Sequence, residues 1–323
     1  MRKLDTKWRC YNIAHNEHYI ATIGSGVSIW DRKTLELIHH FQGFHCLHGG
    51  LFVGDDILMV YTGEQKIFFL KISEKRVEWA VPRPREIRAG GDLRCCLIPG
   101  TQTVAYIADA RDNFPDKYLL LVDYSARTVS AHLVEGFEGG AVNSLVYTKE
   151  AGLTFRASYY KGDKIYQVDE TGKAITVYAK SIRNPWIEYT GHYAFVEHHV
   201  RELPEAKVFQ LQYDAENNAL KAAQPFRIPL TLRLSKEYGT HPRTWDLPEI
   251  SWIDEASGLL VTTDRYSEDC WIGIYDFLNK KKLAEYRNDK VWCATLLDNR
   301  LLIGCLSGFY VVENAIPMAE STL

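Results

Sequence analysis

Apolar and polar residues alternate along most of this chain, which is the spacing of half-buried β-strands. The segment "VSIWDRKTLEL" at 27–37 is typical: an apolar-rich strand ends at Trp30, Asp31 follows it, and a short polar turn leads to a second strand. Apolar residues recur at a spacing of two rather than three or four, so helical periodicity is nearly absent. The pattern therefore predicts an all-β protein.

A strand followed by a short polar turn occurs seven times, with 37 to 62 residues between successive copies, and in the first six copies a second strand clearly follows. In each copy a short polar residue follows the first strand, and there it can accept hydrogen bonds from backbone N–H groups slightly further along and close the turn. Asp is common at single turns, whereas a sevenfold recurrence indicates a repeat. The residues at this position are Asp31, Ser73, Asp123, Asp169, Asp214, Asp276 and Glu313.

Two more apolar runs precede each of these segments, so each unit offers four strands, a, b, c and d. Four-stranded units of this length arranged around a channel form a β-propeller. One sheet cannot bury both of its faces, whereas sheets stacked in a closed ring can. We expect a single seven-bladed domain over 1–323, with antiparallel blades and an insertion at 229–249. The units are roughly 8–43, 44–90, 91–140, 141–185, 186–244, 245–290 and 291–316.

The seventh unit lacks a convincing fourth strand, because the chain after residue 313 contains Pro317 and then turns polar. The N-terminal residues "MRKLDT" precede strand a of the first unit. We expect this segment to supply the outer strand of the last blade and to close the ring. The alternative is that residues 316–322 do so.

The chain resembles the WD40-like superfamily of seven-bladed propellers over nearly its whole length. Trp30-Asp31 stands where the WD dipeptide of that family stands, at the end of strand c. The other units keep only the polar residue, and Gly191-His192 precedes strand b instead of opening a repeat. The resemblance implies the propeller architecture. No family residue is carried over.

Composition narrows the function classes. The net charge is −3 and the pI is about 6.4, which disfavours general binding to nucleic acid phosphates. Seven cysteines without a CxxC motif indicate small buried side chains in a reducing compartment rather than disulfides or a zinc site. No signal-peptide segment and no run of about 20 apolar residues is present. We therefore expect a cytoplasmic protein that does not bind membranes.

Topology separates the loops into two sets. Strands a and c run the same way, so the d–a and b–c loops share one face, here called the d–a/b–c face. The a–b and c–d loops share the other, the a–b/c–d face. Loops of the d–a/b–c face are longer and more varied, and they include the insertion at 229–249. Variable loops on a rigid scaffold usually carry binding, so this face is the functional candidate.

Candidate binding residues concentrate on that face. Guanidinium groups recognise carboxylates and phosphates through paired hydrogen bonds, and Trp245 in the insertion is a candidate interface anchor. The alternative is that each arginine pairs with a local acid, such as Asp109, Asp112 or Asp116. Near the starts of the inner strands, and expected to ring the channel mouth, are Arg9, His45, Arg94, Asn143, Ser251 and Trp292. The loop arginines are Arg83, Arg85, Arg88, Arg111, Arg201, Arg243 and Arg265.

No motif for a catalytic nucleophile, a metal or a cofactor emerges. His198 and His199 are adjacent on a strand, so they point to opposite faces and cannot easily share a metal. We expect a non-enzymatic platform, monomeric on its own and without a cofactor, that binds a partner protein or acidic peptide. The alternative is a small-molecule sensor or a hydrolase- or lactonase-like enzyme. Its site would lie at the channel mouth near Arg9, His45, Arg94, Asn143 and Glu188.

Overall fold

The protein is an all-β, seven-bladed propeller in the computed structural model, as the sequence predicts. Its seven antiparallel sheets keep the strand order a-b-c-d. Across the part of the chain that is described, no helix is long and apolar enough to span a membrane. The structure describes residues 1–5, 7–64, 66–88, 94–113, 115–159, 162–180, 186–199, 204–228, 249–263 and 269–317.

The inner half of each blade consists of strands a and b. The a strands are β2 (Cys10–His15), β6 (Leu47–Phe52), β10 (Arg94–Leu97), β14 (Ala141–Thr148), β18 (Trp186–Tyr189), β23 (Glu249–Asp254) and β27 (Val291–Leu297). The b strands are β3 (Tyr19–Gly24), β7 (Ile57–Thr62), β11 (Thr103–Asp109), β15 (Gly152–Tyr159), β19 (Tyr193–His199), β24 (Leu259–Thr263) and β28 (Arg300–Cys305).

The outer half of each blade consists of strands c and d, and the outer strand of blade 5 is divided in two. The c strands are β4 (Val27–Asp31), β8 (Ile67–Lys71), β12 (Lys117–Asp123), β16 (Gly162–Val168), β20 (Pro204–Asp214), β25 (Asp269–Asp276) and β29 (Gly308–Val312). The d strands are β5 (Leu37–Phe41), β9 (Arg76–Val81), β13 (Thr128–Leu133), β17 (Ala174–Lys180), β21 (Ala219–Ala222) with β22 (Phe226–Ile228), β26 (Lys281–Asp289) and β1 (Arg2–Asp5).

The N-terminal strand closes the ring, which confirms the prediction made for the last blade. β1 pairs antiparallel with β29, with Arg2 opposite Val311 and Lys3 opposite Tyr310. The seventh sheet therefore joins the first residues of the chain to its last strands. Leu4 of β1 packs against the apolar cluster between blades 7 and 1.

The hydrophobic core is divided among the interfaces between blades. Seven clusters of buried residues occur among the described residues, and each combines side chains from two neighbouring blades. Between blades 7 and 1, for example, Trp30 packs with Phe309, their ring centroids 5.4 Å apart. Seven interfaces for seven blades make a closed ring, in which each sheet covers its neighbour's apolar face.

The polar residue at the end of strand c closes its turn in five of the seven blades. Asp31 Oδ1 accepts hydrogen bonds from the backbone N–H groups of Lys33 and Thr34, each at 2.8 Å. Asp123, Asp169, Asp214 and Asp276 cap their turns in the same way.

The second and seventh blades depart from this pattern. Ser73 is itself held by Asp56 of an a–b loop, which accepts from its backbone N–H at 2.8 Å and from its hydroxyl at 2.5 Å. Glu313 lies 3.8 Å from Arg2 and 3.6 Å from Arg300 in ion pairs. In blade 2, then, the carboxylate that binds the turn comes from another loop.

Candidate functional site

Most of the inner strands carry a β-bulge near their first residue. In β2 the register with β3 passes from Cys10 to Asn12 and leaves Tyr11 without an opposing residue. A bulge re-aims one side chain and bends the strand. Because the a strands begin at the d–a loops, these residues lie toward the d–a/b–c face. The bulged residues are Tyr11, His48, Asn143, Ile187, Ser251 and Trp292.

Three of the residues expected at the channel mouth coincide with these bulges: Asn143, Ser251 and Trp292. Ser251 is also bonded across the blade interface, since its Oγ accepts a 2.7 Å hydrogen bond from the backbone N–H of Ala294. Trp292 is 38% exposed, which is unusual for a tryptophan in an inner strand.

Arg9 and His45 lie just ahead of strands β2 and β6 and have exposed side chains. In these two blades the bulged residues are instead Tyr11 and His48. Arg94 is the first residue of β10, and its side chain lies outside the described part of the structure.

Arg9, Tyr11 and Trp292 come together between blades 1 and 7. The rings of Tyr11 and Trp292 meet edge to face, with centroids 5.3 Å apart and an interplanar angle of 72°. A hydrogen bond between the Arg9 side chain and Tyr11 raises the pKa of the guanidinium group. One cation and two aromatic rings therefore border this side of the channel mouth.

Asn143 belongs to a polar network inside blade 4. Its Nδ2 donates to Ser158 Oγ, and that hydroxyl donates to Asp163 Oδ1 at 2.6 Å. Arg156 Nη2 donates to Ser158 Oγ at 3.3 Å, and the Arg156 Nε lies 3.5 Å from Asp163 Oδ1. Arg156 and Asp163 are both buried, so their charges stabilise one another away from water.

Glu188 also directs its carboxylate into the protein. Its Oε1 accepts a 2.8 Å hydrogen bond from Ser144 Oγ of blade 4 and a 2.9 Å bond from the backbone N–H of Tyr189. The oxygen therefore joins blades 4 and 5. Asn143 and Glu188, the pair at the centre of the enzyme alternative, both use a polar group to hold neighbouring strands.

Two loops of the d–a/b–c face are joined by backbone hydrogen bonds. The Arg88 N–H donates to the Asp109 carbonyl at 3.0 Å, and the Arg111 N–H donates to the Glu86 carbonyl at 2.7 Å. Between them Ile87, which is buried, forms a β-bridge with Ala110. The loop at 82–88 is thereby fixed to the b–c loop of blade 3.

This junction brings three predicted binding residues, Arg85, Arg88 and Arg111, onto one exposed surface, here called the arginine patch. Arg83 lies beside it and donates from Nη1 to the Glu64 carbonyl at 3.2 Å. Four arginines thus flank the boundary between blades 2 and 3.

Two of the acids expected to neutralise these arginines have other partners. Asp109 forms an ion pair with Lys117, which is buried. Asp116 Oδ2 accepts a 3.0 Å hydrogen bond from Asn113 Nδ2. Asp112 remains exposed next to Arg111.

Four predicted binding residues belong to segments that the structure does not describe. Trp245 and Arg243 of the insertion, and Arg201 and Arg265 of two b–c loops, lie outside the described residues.

The opposite, a–b/c–d face contains a cleft of about 670 Å³ among blades 4, 5 and 6. Its apolar and aromatic lining includes Leu211 and Leu220, which are buried, and Tyr193 and Tyr213. The polar residues that line it are Thr148, Glu150, His192, Gln210, Gln212 and Glu255.

His192 holds the walls of this cleft together. Its Nδ1 lies 2.6 Å from Glu255 Oε2 of blade 6, and its Nε2 lies 3.4 Å from Glu150 Oε2 of blade 4. The pKa of His192 is raised above its usual value. Partial burial alone would lower this pKa, but the hydrogen bonds to Glu255 and Glu150 and the negative charges of these two groups outweigh the effect of burial. The pKa of Glu150 is lowered by a bond from its own backbone N–H and by His192.

The sequence reading did not single out this cleft. Glu150, His192 and Glu255 each stand alone in a separate a–b loop, so no local motif contains them. Alignment of the predicted units puts all three in the same loop of consecutive blades. That coincidence is the signal that could have found the site.

The described part of the chain contains no group of three His, Cys, Asp or Glu side chains arranged to hold a metal ion. None of the seven cysteines forms a disulfide bond, and Cys10, Cys270, Cys293 and Cys305 are buried. Burial raises the pKa of Cys96 to about 12, which keeps that thiol protonated and unreactive at neutral pH.

Comparison with known proteins supports the fold and goes no further. No protein-family model and no curated protein matches the chain. Among solved structures, the crystal structure of the computationally designed Ika8 protein is similar, with a TM-score of 0.62 and 11% sequence identity. The match covers 97% of this chain and 100% of the designed one. At that identity, the similarity shows a shared fold alone.

Proposed function

We propose that this protein is a non-enzymatic interaction platform that binds an acidic segment of a partner protein on its d–a/b–c face. The observation that carries the proposal is the junction of the loop at 82–88 with the b–c loop of blade 3. The junction fixes the backbone beneath Arg85, Arg88 and Arg111, so little backbone entropy is lost when a partner binds.

The chemistry of the arginine patch favours carboxylates. A guanidinium group presents a planar set of N–H donors that matches a carboxylate with two parallel hydrogen bonds. Arginine is also enriched at binding hot spots. An acidic peptide lying across Arg85, Arg88 and Arg111 would satisfy several carboxylates at once.

The closed ring and the other loops of the d–a/b–c face also suit an interaction platform. A ring whose blades share seven apolar interfaces is a rigid frame for loops, as in the WD40-like propellers that the sequence resembles. The sequence assigns Trp245 and Arg265 to loops of the same face, and we propose that they extend the contact. We propose a cytoplasmic protein that is monomeric until its partner binds.

Charge reversal tests the arginine patch. Purified protein is applied to an array of immobilised peptides that differ in their number of Asp and Glu residues. We expect the signal to rise with acidic content, and we expect Arg85→Glu/Arg88→Glu to weaken it by about tenfold or more, because each reversal replaces attraction with repulsion.

The matched control is Lys33→Glu/Lys75→Glu, which makes the same charge change in c–d turns of the opposite face. It should leave the peptide signal within about twofold of wild type. Equal losses in both variants would indicate a general charge effect, and an unchanged signal in the arginine variant would show that another surface binds. Either result contradicts the proposal.

A second candidate, a small-molecule sensor, is favoured by Arg9, Tyr11 and Trp292 at the channel mouth. A cation beside two aromatic rings can hold a small planar anion such as benzoate. Titration with benzoate should quench tryptophan fluorescence in the wild type and not in Trp292→Phe. Equal quenching in both proteins would dismiss this candidate.

A further inference from the structure

The cleft on the a–b/c–d face is assembled from three consecutive blades. Glu150 comes from the a–b loop of blade 4, His192 from that of blade 5 and Glu255 from that of blade 6. Because these loops emerge from strands fixed in three separate sheets, the groups keep their spacing in the absence of a ligand. The cleft is thus preorganised by the fold.

Glu150 and Glu255 serve different purposes. Glu255 is largely used internally: its Oε1 accepts from Thr190 Oγ1 and, at 3.4 Å, from the His192 backbone N–H, while Oε2 meets His192 Nδ1. Glu150 is 57% exposed, and the 3.4 Å separation from His192 Nε2 is a long hydrogen bond. Glu150 is therefore the carboxylate that can turn toward a ligand.

The side chains that line the cleft carry a net negative charge in either state of His192. Two carboxylates against one imidazolium leave one negative charge, and two remain when the imidazole is neutral. Among nearby lysines, Lys221 is 2.5 Å from Asp214 in an ion pair, and Lys149 carries an exposed ammonium next to Glu150. A cationic ligand complements this balance better than an anionic one.

The remaining walls suit a long cationic side chain. Leu211 and Leu220 add apolar atoms to the lining that suit a methylene stem, and Tyr193 and Tyr213 add aromatic rings, to which a guanidinium group is attracted. A volume of about 670 Å³ exceeds one side chain and accommodates a short peptide segment.

We propose that this cleft is a docking site for a protein segment that carries an arginine side chain, held by the Glu150 carboxylate. The site lies on the face opposite the arginine patch and does not depend on the function proposed there. The same chain would then present one surface for acidic segments and one for basic segments.

Proton binding at His192 should oppose this docking. The groups that face His192 are Glu255 on one side and Glu150 on the other, both of which favour its charged form. An imidazolium group competes with arginine for the Glu150 carboxylate, whereas a neutral imidazole leaves it open. Affinity for arginine should therefore increase as the pH rises above the raised pKa of His192.

The test measures fluorescence anisotropy of a dye-labelled peptide, Gly-Gly-Arg-Gly-Gly, with full-length protein. Its counterpart carries citrulline, which has the shape of arginine without the charge. We expect the arginine peptide to bind at least fivefold more tightly than the citrulline peptide. We also expect Glu150→Gln to lower that preference to less than twofold and His192→Gln to remove the pH dependence.

The control variant is Glu36→Gln, an exposed carboxylate in the c–d turn of blade 1 on the same face, which should keep the preference. Circular dichroism melting checks that each variant is folded. If the folded His192→Gln variant binds the arginine peptide with unchanged pH dependence, the role given to His192 is contradicted. Equal affinity for both peptides, or a preference that survives Glu150→Gln, overturns the proposal. Neither result bears on Arg85 or Arg88.

Discussion

At the scale of single residues, the repeat is maintained by short carboxylates rather than by large side chains. In Asp31 the bonds from the Thr34 and Lys33 N–H groups lower the pKa of the carboxyl group. In Asp123 and Asp169 the bonds from Ser125 and Thr171 do the same. Bonds that favour the ionised form of a group in the folded chain stabilise the fold while that group is ionised.

These turns should therefore weaken in acid. A carboxyl group whose folded pKa is lowered stabilises fully above its unfolded value of about 3.9, and the effect is lost as the pH falls through the folded value. We expect wild type to have a higher urea midpoint than Asp123→Asn/Asp169→Asn at pH 6. Because Asn keeps a capping oxygen and cannot ionise, the two midpoints should converge by pH 2.

Urea unfolding at a series of pH values measures this convergence. Asp55→Asn, an exposed a–b loop position, is the control, and its midpoint should stay at a constant offset from wild type. A difference between wild type and the double variant that stays constant down to pH 2 would contradict the role given to Asp123 and Asp169.

At the scale of strands, the bulges of the inner strands define the channel mouth, and a glycine makes one of them possible. Gly24 of β3 lies opposite Cys10, where β2 begins its bulge. A Cβ at Gly24 would collide with the Arg9 carbonyl, a backbone atom that cannot move aside alone. The glycine therefore permits two strands to approach closely.

We predict that Gly24→Ala destabilises the protein by about 2–3 kcal/mol, because the collision forces the backbone of β2 or β3 to shift. Gly54→Ala is the control: its nearest contact would be Gln102 Nε2 at 3.7 Å, an ordinary distance. That variant should stay within about 0.5 kcal/mol of wild type in urea unfolding. Equal stability of the two variants would contradict the close approach at the bulge.

The period of two predicts strands well and bulges poorly. Alternation located the strands on both sides of Asp31, Asp123 and Asp169, because each has a buried face and a local turn signal. A bulge adds one residue to one strand and is recognised only from its partner's register. For this reason Tyr11 and His48 are not among the residues predicted at the channel mouth, although Asn143 and Trp292 are.

At the scale of the whole molecule, ring closure could be predicted and the sites largely could not. The last unit lacks a d strand, and a blade without its outer strand leaves an open edge. The residues before β2 belong to no other strand, so the sequence predicts that they fill this edge. The cleft at His192 joins three a–b loops distant in sequence. No local sequence pattern predicts that these three loops lie side by side, because the curvature of the ring brings them together.

Thermal unfolding of the chain without residues 1–5 tests the closed ring most directly. That deletion removes β1 and its pairing with β29, together with the packing of Leu4 between blades 7 and 1. We predict a Tm at least about 5 °C below that of the intact chain, whereas deletion of residues 318–323 should leave it within about 1 °C. An unchanged Tm without residues 1–5, or a larger loss from the C-terminal deletion, would contradict closure by the N-terminal strand.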